Sequence, residues 1–341
     1  MKLTTLQYRI KDQTTGKRLV EMGYSCNYAW NYCNEVNQES WKKFGKPLSA
    51  FDLHKLTSGC AKELGLHSQT VQAVCEEYAK SCKQYKKRKL NWRSRKKSLG
   101  WIPFKGKGVK VEVDTVTYSG HRFKFWLSRS IDSKVRFGSF CQDSKGHWFV
   151  NFVIEQPEII REKTGKEVGI DLGLKTLATL SDGIEFNREN LIKKFEKQLA
   201  MAQQARKKKR VTAIHAKIKN KRKDWNHKAT AAIVNEYDKI AVGNVSSSKL
   251  KKTRMAKSVS DAGWSDFKRM LAYKAIRLGV EMNEVNESWS TVTCSSCGSR
   301  SGPHGLRHLI VRDWICSDCG TSHLRDVNAA KNILQFSVRG N

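Results

Sequence analysis

Apolar and polar positions alternate at the start of the chain and again from about residue 109, a pattern that predicts β-strands. The alternation runs through "KLTTLQYRI", "VKVEVDTVTYSG", "RFKFWLSR", "VRFGSFCQD" and "HWFVNFVIEQ", and turn residues separate these segments. Several short antiparallel strands favour a small barrel, with its first strand at 1–15 and the remainder at 105–165. The barrel type stays open, because the alternation fits an oligonucleotide-binding barrel and any other small barrel equally well.

Between these strand segments, apolar and aromatic residues recur at spacings of three and four, which is typical of helices. The segments "CNYAWNYCNEVNQESW" and "QTVQAVCEEYAKSCKQYKK" have this spacing, and Pro47 is the one proline from Lys17 to Ser98. We therefore predict a helical domain at 16–104, inserted into the barrel.

Beyond Glu162, strand and helix patterns alternate, which predicts an α/β sheet domain. Strand patterns occur in "EVGIDLGLKTLATLSDG", "KIAVGNV" and "VEMNEV", and helix patterns occur in "GWSDFKRMLAYKAIRLG" and "RDVNAAKNILQFS". We place this domain at 166–290 and 323–341, interrupted by a cysteine-rich segment at 291–322. The predicted fold class is α+β with several domains.

The chain carries 64 Lys and Arg against 32 Asp and Glu, a formal net charge of +32. Such an excess needs an acidic partner, and nucleic acid is the partner that it favours. Cys82 to Lys110 contains twelve Lys or Arg and no acid, and Leu191 to Thr230 contains fourteen against two acids. Each run also fits a solvated helix face, so the charge alone leaves that alternative open.

Aromatic residues lie beside the basic ones in both runs. Tyr85, Trp92, Trp101 and Trp225 could stack on unpaired bases, although the core is the commoner place for a tryptophan. The predicted nucleic-acid contacts are Lys86, Lys87, Arg88, Arg93, Arg95, Arg206, Lys207, Lys208, Arg210, Lys221, Arg222, Trp225, His227 and Lys228.

Two CxxC pairs separated by eighteen residues give the strongest metal-site signal, and their cysteines are Cys294, Cys297, Cys316 and Cys319. Two such turns supply the tetrahedral sulfur shell that Zn²⁺ prefers, and a full shell leaves no open position. We therefore predict one structural Zn²⁺. The neighbouring histidines His304, His308 and His323 are interpreted as surface residues or phosphate contacts.

Six further cysteines follow no pairing pattern and are predicted to be reduced thiols, buried as small hydrophobes: Cys26, Cys33, Cys60, Cys75, Cys82 and Cys141. The sequence contains no apolar run of about 20 residues, and "MKLTTLQYRI" lacks a signal-peptide layout. These features favour a cytoplasmic protein without a membrane span, associated with the nucleoid when it binds DNA.

Two aspartates stand at positions that suit catalysis. Asp171 ends the apolar strand "VGID", and Asp326 opens the last helix, where N-capping is the commoner role of an aspartate. Phosphodiester hydrolysis by two Mg²⁺ ions about 3.5–4 Å apart needs several carboxylates that converge on one point. Such a site normally needs a third acid, and unrelated structural acids are the alternative interpretation.

Three segments in this order, "GIDLGLKTLATLSDG", "CSSCG…CSDCG" and "RDVNAAKNIL", resemble the C-terminal half of the TnpB proteins of insertion sequences, relatives of the type V CRISPR effector nucleases. The resemblance implies a wedge-type β-barrel with an inserted helical recognition domain. It further implies a RuvC-like nuclease domain of the RNase H fold with a zinc-ribbon insert.

The same resemblance implies an activity. It is that of an RNA-guided DNA endonuclease, monomeric on a noncoding guide RNA, which cleaves double-stranded DNA beside a short target-adjacent motif. Asp171 would be the first catalytic acid and Asp326 the last. Together with a middle acid they would hold two Mg²⁺ ions, with Mn²⁺ as an alternative.

The middle acid departs from the usual family pattern. Most relatives carry a glutamate on the strand that here reads "KIAVGNV", and the matching position is Gly243. A subset that resembles this chain has the glutamate just before the zinc ribbon, where this chain has Glu287. We therefore predict that Asp171, Glu287 and Asp326 are catalytic and bind Mg²⁺. The competitors for the middle position are Glu281, Glu284 and Asp266.

Two other functions stay compatible with the sequence. Gly243 favours a nuclease-inactive RNA-guided DNA-binding repressor that has lost its middle acid. The zinc ribbon is also compatible with an RNA-independent transposase or recombinase that reads DNA through the ribbon. Copurifying RNA and Mg²⁺-dependent cutting would distinguish the three functions.

Overall fold

The chain, whose structure is a computed structural model, consists of two units, Met1–Pro157 and Glu158–Asn341. The structure describes residues 2–11, 13–156, 161–245, 256–305 and 310–339. Within these ranges, none of the helices has the length and the apolar character that a membrane-crossing helix needs.

The strands of the first unit form two antiparallel sheets. The four-stranded sheet has the order β1 (Lys2–Arg9), β7 (Trp148–Gln156), β6 (Val135–Gln142), β2 (Trp101–Lys105). The three-stranded sheet consists of β3 (Val109–Glu112), β4 (Thr115–Tyr118) and β5 (His121–Lys124). An isolated bridge joins Ile10 to Phe125. The alternating segments are therefore strands as predicted, whereas their closure into a wedge-type barrel stays a prediction.

Aromatic side chains fill the interior of these sheets, because alternate strand positions point to the same face. Phe104, Phe140 and Phe152 are almost fully buried. The ring centroid of Phe104 lies 5.4 Å from that of Phe140 and 6.2 Å from that of Phe152. Strand β2 begins at Trp101, so the four-stranded sheet includes residues before the predicted domain boundary at 104.

Three helices lie in the region where the periodicity predicts them: α1 (Gln13–Phe44), α2 (Ala50–Leu56) and α3 (Ser68–Tyr85). Trp30 on α1 packs edge-on against Tyr78 on α3, with 5.2 Å between ring centroids. The Tyr78 hydroxyl donates to Asn34 Oδ1 at 3.0 Å, so this helix pair shares a buried polar contact. The predicted burial holds for Cys26, Cys33, Cys75 and Cys82, whereas Cys60 and Cys141 are partly exposed; all six are free thiols.

The second unit contains a five-stranded sheet in the order β10 (Glu185–Phe186), β9 (Ala178–Leu180), β8 (Glu167–Asp171), β11 (Lys239–Gly243), β12 (Glu281–Val285). Strands β8, β11 and β12 are parallel, whereas β9 and β10 pair antiparallel. Parallel neighbours in register end at the same edge of a sheet. Asp171, Gly243 and Val285 therefore lie side by side along one edge.

The helices of this unit are α4 (Leu191–Gln204), α5 (Lys208–Glu236), α6 (Ala256–Ala262), α7 (Trp264–Leu278) and α8 (Arg325–Arg339). Helix α8 lies directly against β8 at Gly169, where an added Cβ would be 1.9 Å from the carbonyl oxygen of Ala330. Before α8, β13 (Asp313–Ile315) and β14 (Ser322–Leu324) form an antiparallel hairpin in the cysteine-rich segment. The mixed α and β content agrees with the predicted class, and the RNase H assignment stays a prediction.

Candidate active site

Three acidic side chains reach the carboxyl edge of the second sheet from separate elements. Asp171 is the last residue of β8, Glu287 follows β12 by two residues, and Asp326 lies in the first turn of α8. Burial, and then the negative charges of Asp326 and Glu287, raise the pKa of Asp171 to about 7. The three carboxylates therefore share one electrostatic environment, which favours a proton or a cation.

Glu287 reaches this environment across the end of β11. Its side chain lies against Gly243, whose partner in the parallel ladder is Val285. Burial raises the pKa of Glu287, and the ammonium group of Lys268 partly offsets that rise. Glu287 is thus a half-buried acid with a perturbed proton affinity, which distinguishes it from a solvated surface carboxylate.

The competing acids have other partners. Glu284 Oε2 accepts a hydrogen bond from Lys268 Nζ at 2.9 Å. The other two bond to neighbours in their own elements, in the pairs Glu281–Asn283 and Asp266–Arg269. None of the three is among the charges that shift the pKa of Asp171. The geometry favours Glu287 over its competitors, and its catalytic role stays a prediction.

Arg312, which no sequence pattern marks, binds the third carboxylate. Its Nη1 lies 3.0 Å from both carboxylate oxygens of Asp326. Since Arg312 immediately precedes β13, this contact joins the cysteine-rich hairpin to the first turn of α8. The helix begins at Arg325, so Asp326 is not its N-cap. A cation bound by Asp326 would have to displace this guanidinium or share the carboxylate with it.

The three carboxylates form a looser set than the cysteines do. Among groups of three or more metal-ligating side chains in the described ranges, the four cysteines alone have ligand atoms all within 4.8 Å of one another. Carboxylates repel one another, and Arg312 draws Asp326 into a separate pair. Oxygen ligands of this kind suit hard cations such as Mg²⁺ and Mn²⁺. Two such ions at this edge stay a prediction.

The four cysteines of the CxxC pairs come together as the spacing predicts. The Sγ atoms of Cys294 and Cys319 are 3.6 Å apart, and those of Cys297 and Cys316 are also 3.6 Å apart. Four sulfurs around a zinc ion at Zn–S distances of about 2.3 Å are separated by about 3.8 Å. The hydrogen bond from Ser301 lowers the pKa of Cys316 to about 6, which favours the thiolate form. The cluster is therefore compatible with a structural Zn²⁺.

The interpretation of His323 as a surface residue is wrong. His323 is buried, its Nε2 lies 3.0 Å from Cys294 Sγ, and its ring packs on Trp314 with 4.7 Å between centroids. His323 is the middle residue of β14, where it alone is buried and its two neighbours are exposed, and the spacing of the cysteines does not reveal this alternation. His304 stacks on Trp289 at 5.6 Å, and His308 lies outside the described residues.

Most of the predicted nucleic-acid contacts are exposed. These residues are Lys86, Lys87, Arg88, Arg95, Arg206, Lys207, Lys208, Arg210, Lys221 and Lys228. Arg88 lies over the ring of Trp41 at 4.6 Å and Arg95 over that of Tyr24 at 4.7 Å, measured to the ring centroids. Exposure leaves these charges accessible to a phosphate backbone. Their role in binding stays a prediction.

The remaining predicted contacts have partners inside the unit to which each belongs, and they are Arg93, Arg222, Trp225 and His227, whose Nδ1 lies 3.3 Å from the Tyr273 hydroxyl. Arg93 Nε donates to Asn27 Oδ1 at 2.7 Å, and burial lowers the pKa of Arg93. Arg222 Nη1 donates to the Ser260 carbonyl at 2.9 Å, and Trp225 packs against the core of the second unit. These contacts give the residues a structural role that basic runs and aromatic spacing do not reveal.

The aromatic residues beside the basic runs divide in the same way. Tyr85 and Trp92 are 61% and 49% exposed, so their rings are accessible for stacking. Trp101 and Trp225 instead pack against the hydrophobic cores of the first and second unit, respectively. The alternative of a core anchor therefore holds for Trp101 and Trp225, and base stacking stays a prediction for Tyr85 and Trp92.

Two protein families match consecutive parts of the chain. A family described as "Probable transposase" matches residues 151–254. A family described as "Cas12f1-like, TNB domain" matches residues 264–333, the range that holds Glu287, the four cysteines and Asp326. Both matches cover the part of the chain in which the candidate site lies.

Curated relatives match over part of their length. A "Putative RNA-guided DNA endonuclease" of Streptomyces pristinaespiralis is 35% identical over 208 residues, which are 57% of this chain and 50% of that protein. The "TnpB-like protein L79" of Acanthamoeba polyphaga mimivirus is 32% identical over 133 residues, which are 37% of this chain and 24% of that protein. The chain thus spans half or less of these two relatives.

A solved structure has a similar fold. The protein in a cryo-EM structure of the Cas12f1-sgRNA-target DNA complex matches 94% of this chain and 83% of its own chain, with a TM-score of 0.64 and 16% identity. At this identity the likeness concerns the fold alone.

Proposed function

This chain belongs to the TnpB family, and from that premise we propose that it is an RNA-guided DNA endonuclease of a transposon. The names of its relatives support the activity. The observation that supports a working nuclease in this chain is the environment shared by Asp171, Glu287 and Asp326. Glycine stands where the family resemblance implies the middle acid, and Glu287 reaches the same edge of the sheet.

In this proposal the three carboxylates hold two Mg²⁺ or Mn²⁺ ions. Bound ions of this kind activate a water molecule and neutralise charge on the phosphate. The chain positions the ligands from a parallel sheet edge and from the helix that packs on it, so strand register and helix packing fix their spacing. Lys268 and Arg312 add positive charge beside the acids, which favours an approaching phosphodiester.

The proposed partners are a noncoding guide RNA and double-stranded DNA with a short target-adjacent motif, bound by one copy of the chain. The net charge of +32 and the exposed basic residues support polyanionic partners. A guide–target duplex is held mainly through its backbone, which such residues can contact without reading sequence. One structural Zn²⁺ in the ribbon completes the proposed complex.

A plasmid-cleavage assay tests the proposal. The chain is coexpressed with the transposon end, purified with its RNA, and incubated with target plasmid and Mg²⁺. We expect cutting that depends on Mg²⁺ and that Glu287→Gln abolishes. Glu284→Gln is the matched control, because it removes a carboxylate from β12, one residue before Val285, and leaves the three candidate acids in place; it should cut like the wild type.

The other outcomes each point to a different protein. Cutting by Glu287→Gln would remove this residue from the site. Target binding without any nicking by the wild type would favour the repressor, and DNA binding by a preparation that contains no RNA would favour the transposase or recombinase.

A further inference from the structure

The side chain of Glu287 crosses the end of β11 at Gly243. An ideal Cβ added to Gly243 would lie 2.5 Å from Glu287 Oε2 and 3.3 Å from Glu287 Cβ. Real Cβ atoms do not approach other heavy atoms as closely as 2.5 Å. The end of the Glu287 side chain therefore occupies space that any other residue at position 243 would need.

The backbone gives no other reason for a glycine here. Gly243 ends β11 in an extended conformation and is not among the glycines with positive φ. Its ladder partner Val285 and Ala241, two residues earlier on β11, carry ordinary side chains. The requirement for glycine thus comes from the approach of Glu287 and, more weakly, from Ile333 Cδ1, which would lie 3.3 Å from the added Cβ.

From this geometry we infer that Gly243 is a positioning residue, whose missing side chain gives the Glu287 carboxylate its place beside Asp171 and Asp326. Positions 243 and 287 then exclude each other, because both would direct a side chain into the same space. The inference rests on the proposed function, since it concerns the middle ligand of the proposed cation site. It adds that the glycine is required, whereas the repressor hypothesis treats the same glycine as a loss.

A second glycine provides a structural contrast. At Gly169 the added Cβ would meet the backbone of Ala330 at 1.9 Å, and a backbone atom in a packed helix cannot move away cheaply. At Gly243 the closest atom is the end of a flexible side chain. Gly169→Ala should therefore destabilise the fold, whereas Gly243→Ala should leave the fold intact and displace the Glu287 carboxylate.

The experiment measures Mn²⁺ binding by the zinc-loaded full chain, using electron paramagnetic resonance of the free ion. We expect Gly243→Ala to weaken Mn²⁺ binding by about tenfold or more in the wild-type background, a loss of the size seen when a ligand loses its support. In a Glu287→Ala background the same change should have no further effect. The melting temperature should drop clearly in Gly169→Ala and little in Gly243→Ala.

The exchanged pair Gly243→Asp/Glu287→Ala tests the shared space directly. The 2.5 Å from the added Cβ to Glu287 Oε2 is close to the span from the Cβ of an aspartate to its own carboxylate oxygens. The exchange should therefore restore Mn²⁺ binding and part of the cleavage that Glu287→Ala alone loses. This gain keeps the inference testable if Gly243→Ala folds poorly.

Equal effects of Gly243→Ala in both backgrounds, or wild-type Mn²⁺ binding by Gly243→Ala, would overturn the inference. So would an exchanged pair that binds Mn²⁺ no better than Glu287→Ala. Failure of the proposed function has a different signature: the wild-type chain would then leave the target plasmid uncut, whatever the Mn²⁺ binding of the variants.

Discussion

The zinc ribbon and the carboxylate site lie in the same unit but differ in how they are built. Four sulfur atoms of the ribbon lie within 4.8 Å of one another, because each CxxC turn fixes two of them locally. The carboxylates come from β8, from the segment after β12 and from α8, and they form no group that tight in the described part of the chain. A ligand set from tight turns is preformed, whereas one from separate elements depends on packing.

The two sites also meet. Arg312 extends from the ribbon and binds Asp326, so the ribbon contacts one of the candidate ligands. Ribbon folding should therefore affect the carboxylate site, whereas changes among the carboxylates should leave the ribbon intact.

Loss of a zinc ligand should have the largest effect. Cys316→Ser removes one of the four sulfurs, and structural zinc sites contribute about 10–16 kcal/mol to folding. We expect the ribbon to unfold, zinc content to fall and cleavage to be lost. Zinc analysis, protease resistance of residues 291–322 and plasmid cleavage measure the three effects. A ribbon that stays folded without zinc would contradict the prediction that the bound ion stabilises it.

Asp171→Asn should abolish cleavage and yet stabilise the fold at neutral pH. Loss of an outer partner of a metal ligand already costs about 10–100-fold in activity, so loss of a ligand should cost at least about 100-fold. The pKa of Asp171 lies at about 7 in the folded chain, above its ordinary value of 3.8, so folding favours the protonated form. The stabilisation that comes from the raised pKa of Asp171 is therefore fully present below about pH 4 and is lost as the pH rises through 7.

The measurement compares melting temperatures of Asp171→Asn and the wild type across pH, without added divalent ions. The variant should gain stability over the wild type at pH 8 and little at pH 4. Zinc content should be the same in both proteins. A constant difference in melting temperature across this range would show that burial of the charge is not the cause.

His323→Gln should weaken the ribbon by less than the loss of a ligand does. The buried imidazole lies 3.0 Å from Cys294 Sγ, and changes of this kind cost about 10–100-fold in metal affinity. We expect faster transfer of zinc to a chelator, with cleavage retained while zinc is bound. Exposed His304 offers a matched control, and zinc transfer from His304→Gln should be unchanged.

Arg312→Ala should have the smallest effect. Unlike the loss of a ligand, it should strengthen cation binding. The guanidinium competes with a cation for Asp326, but the pair is partly exposed, so its loss should tighten Mn²⁺ binding only about threefold. Paramagnetic resonance of free Mn²⁺ measures the change, and zinc content should not alter. Weaker Mn²⁺ binding would mean that Arg312 positions Asp326 and does not compete for it.

Much of the fold could be predicted because its signals are local. In the first unit, alternation marked the strands of the two sheets except β2, and spacings of three and four marked α1 and α3, since burial of one face imposes these periods. Strand β2 was missed, and it begins at Trp101, inside the segment predicted to be helical. Its sequence WIPFK is buried at three consecutive positions and therefore shows no alternation. Closure into a barrel depends on pairing between distant strands, which periodicity does not encode.

In the candidate site, too, local signals could be predicted and long-range contacts could not. The sequence by itself determined that the four cysteines form one cluster, because turn geometry is a property of neighbouring residues. The roles of Asp171 and Asp326 stay predictions from the family resemblance. Tertiary structure decided that the charge of Glu287, and not that of Glu284, contributes to the raised pKa of Asp171. It also decided that His323 is buried and that Arg312 binds Asp326. The contact on which the inference for position 243 rests is tertiary as well, because the atom that would collide with a Cβ there belongs to Glu287, beyond the end of β12, and only packing brings the two together.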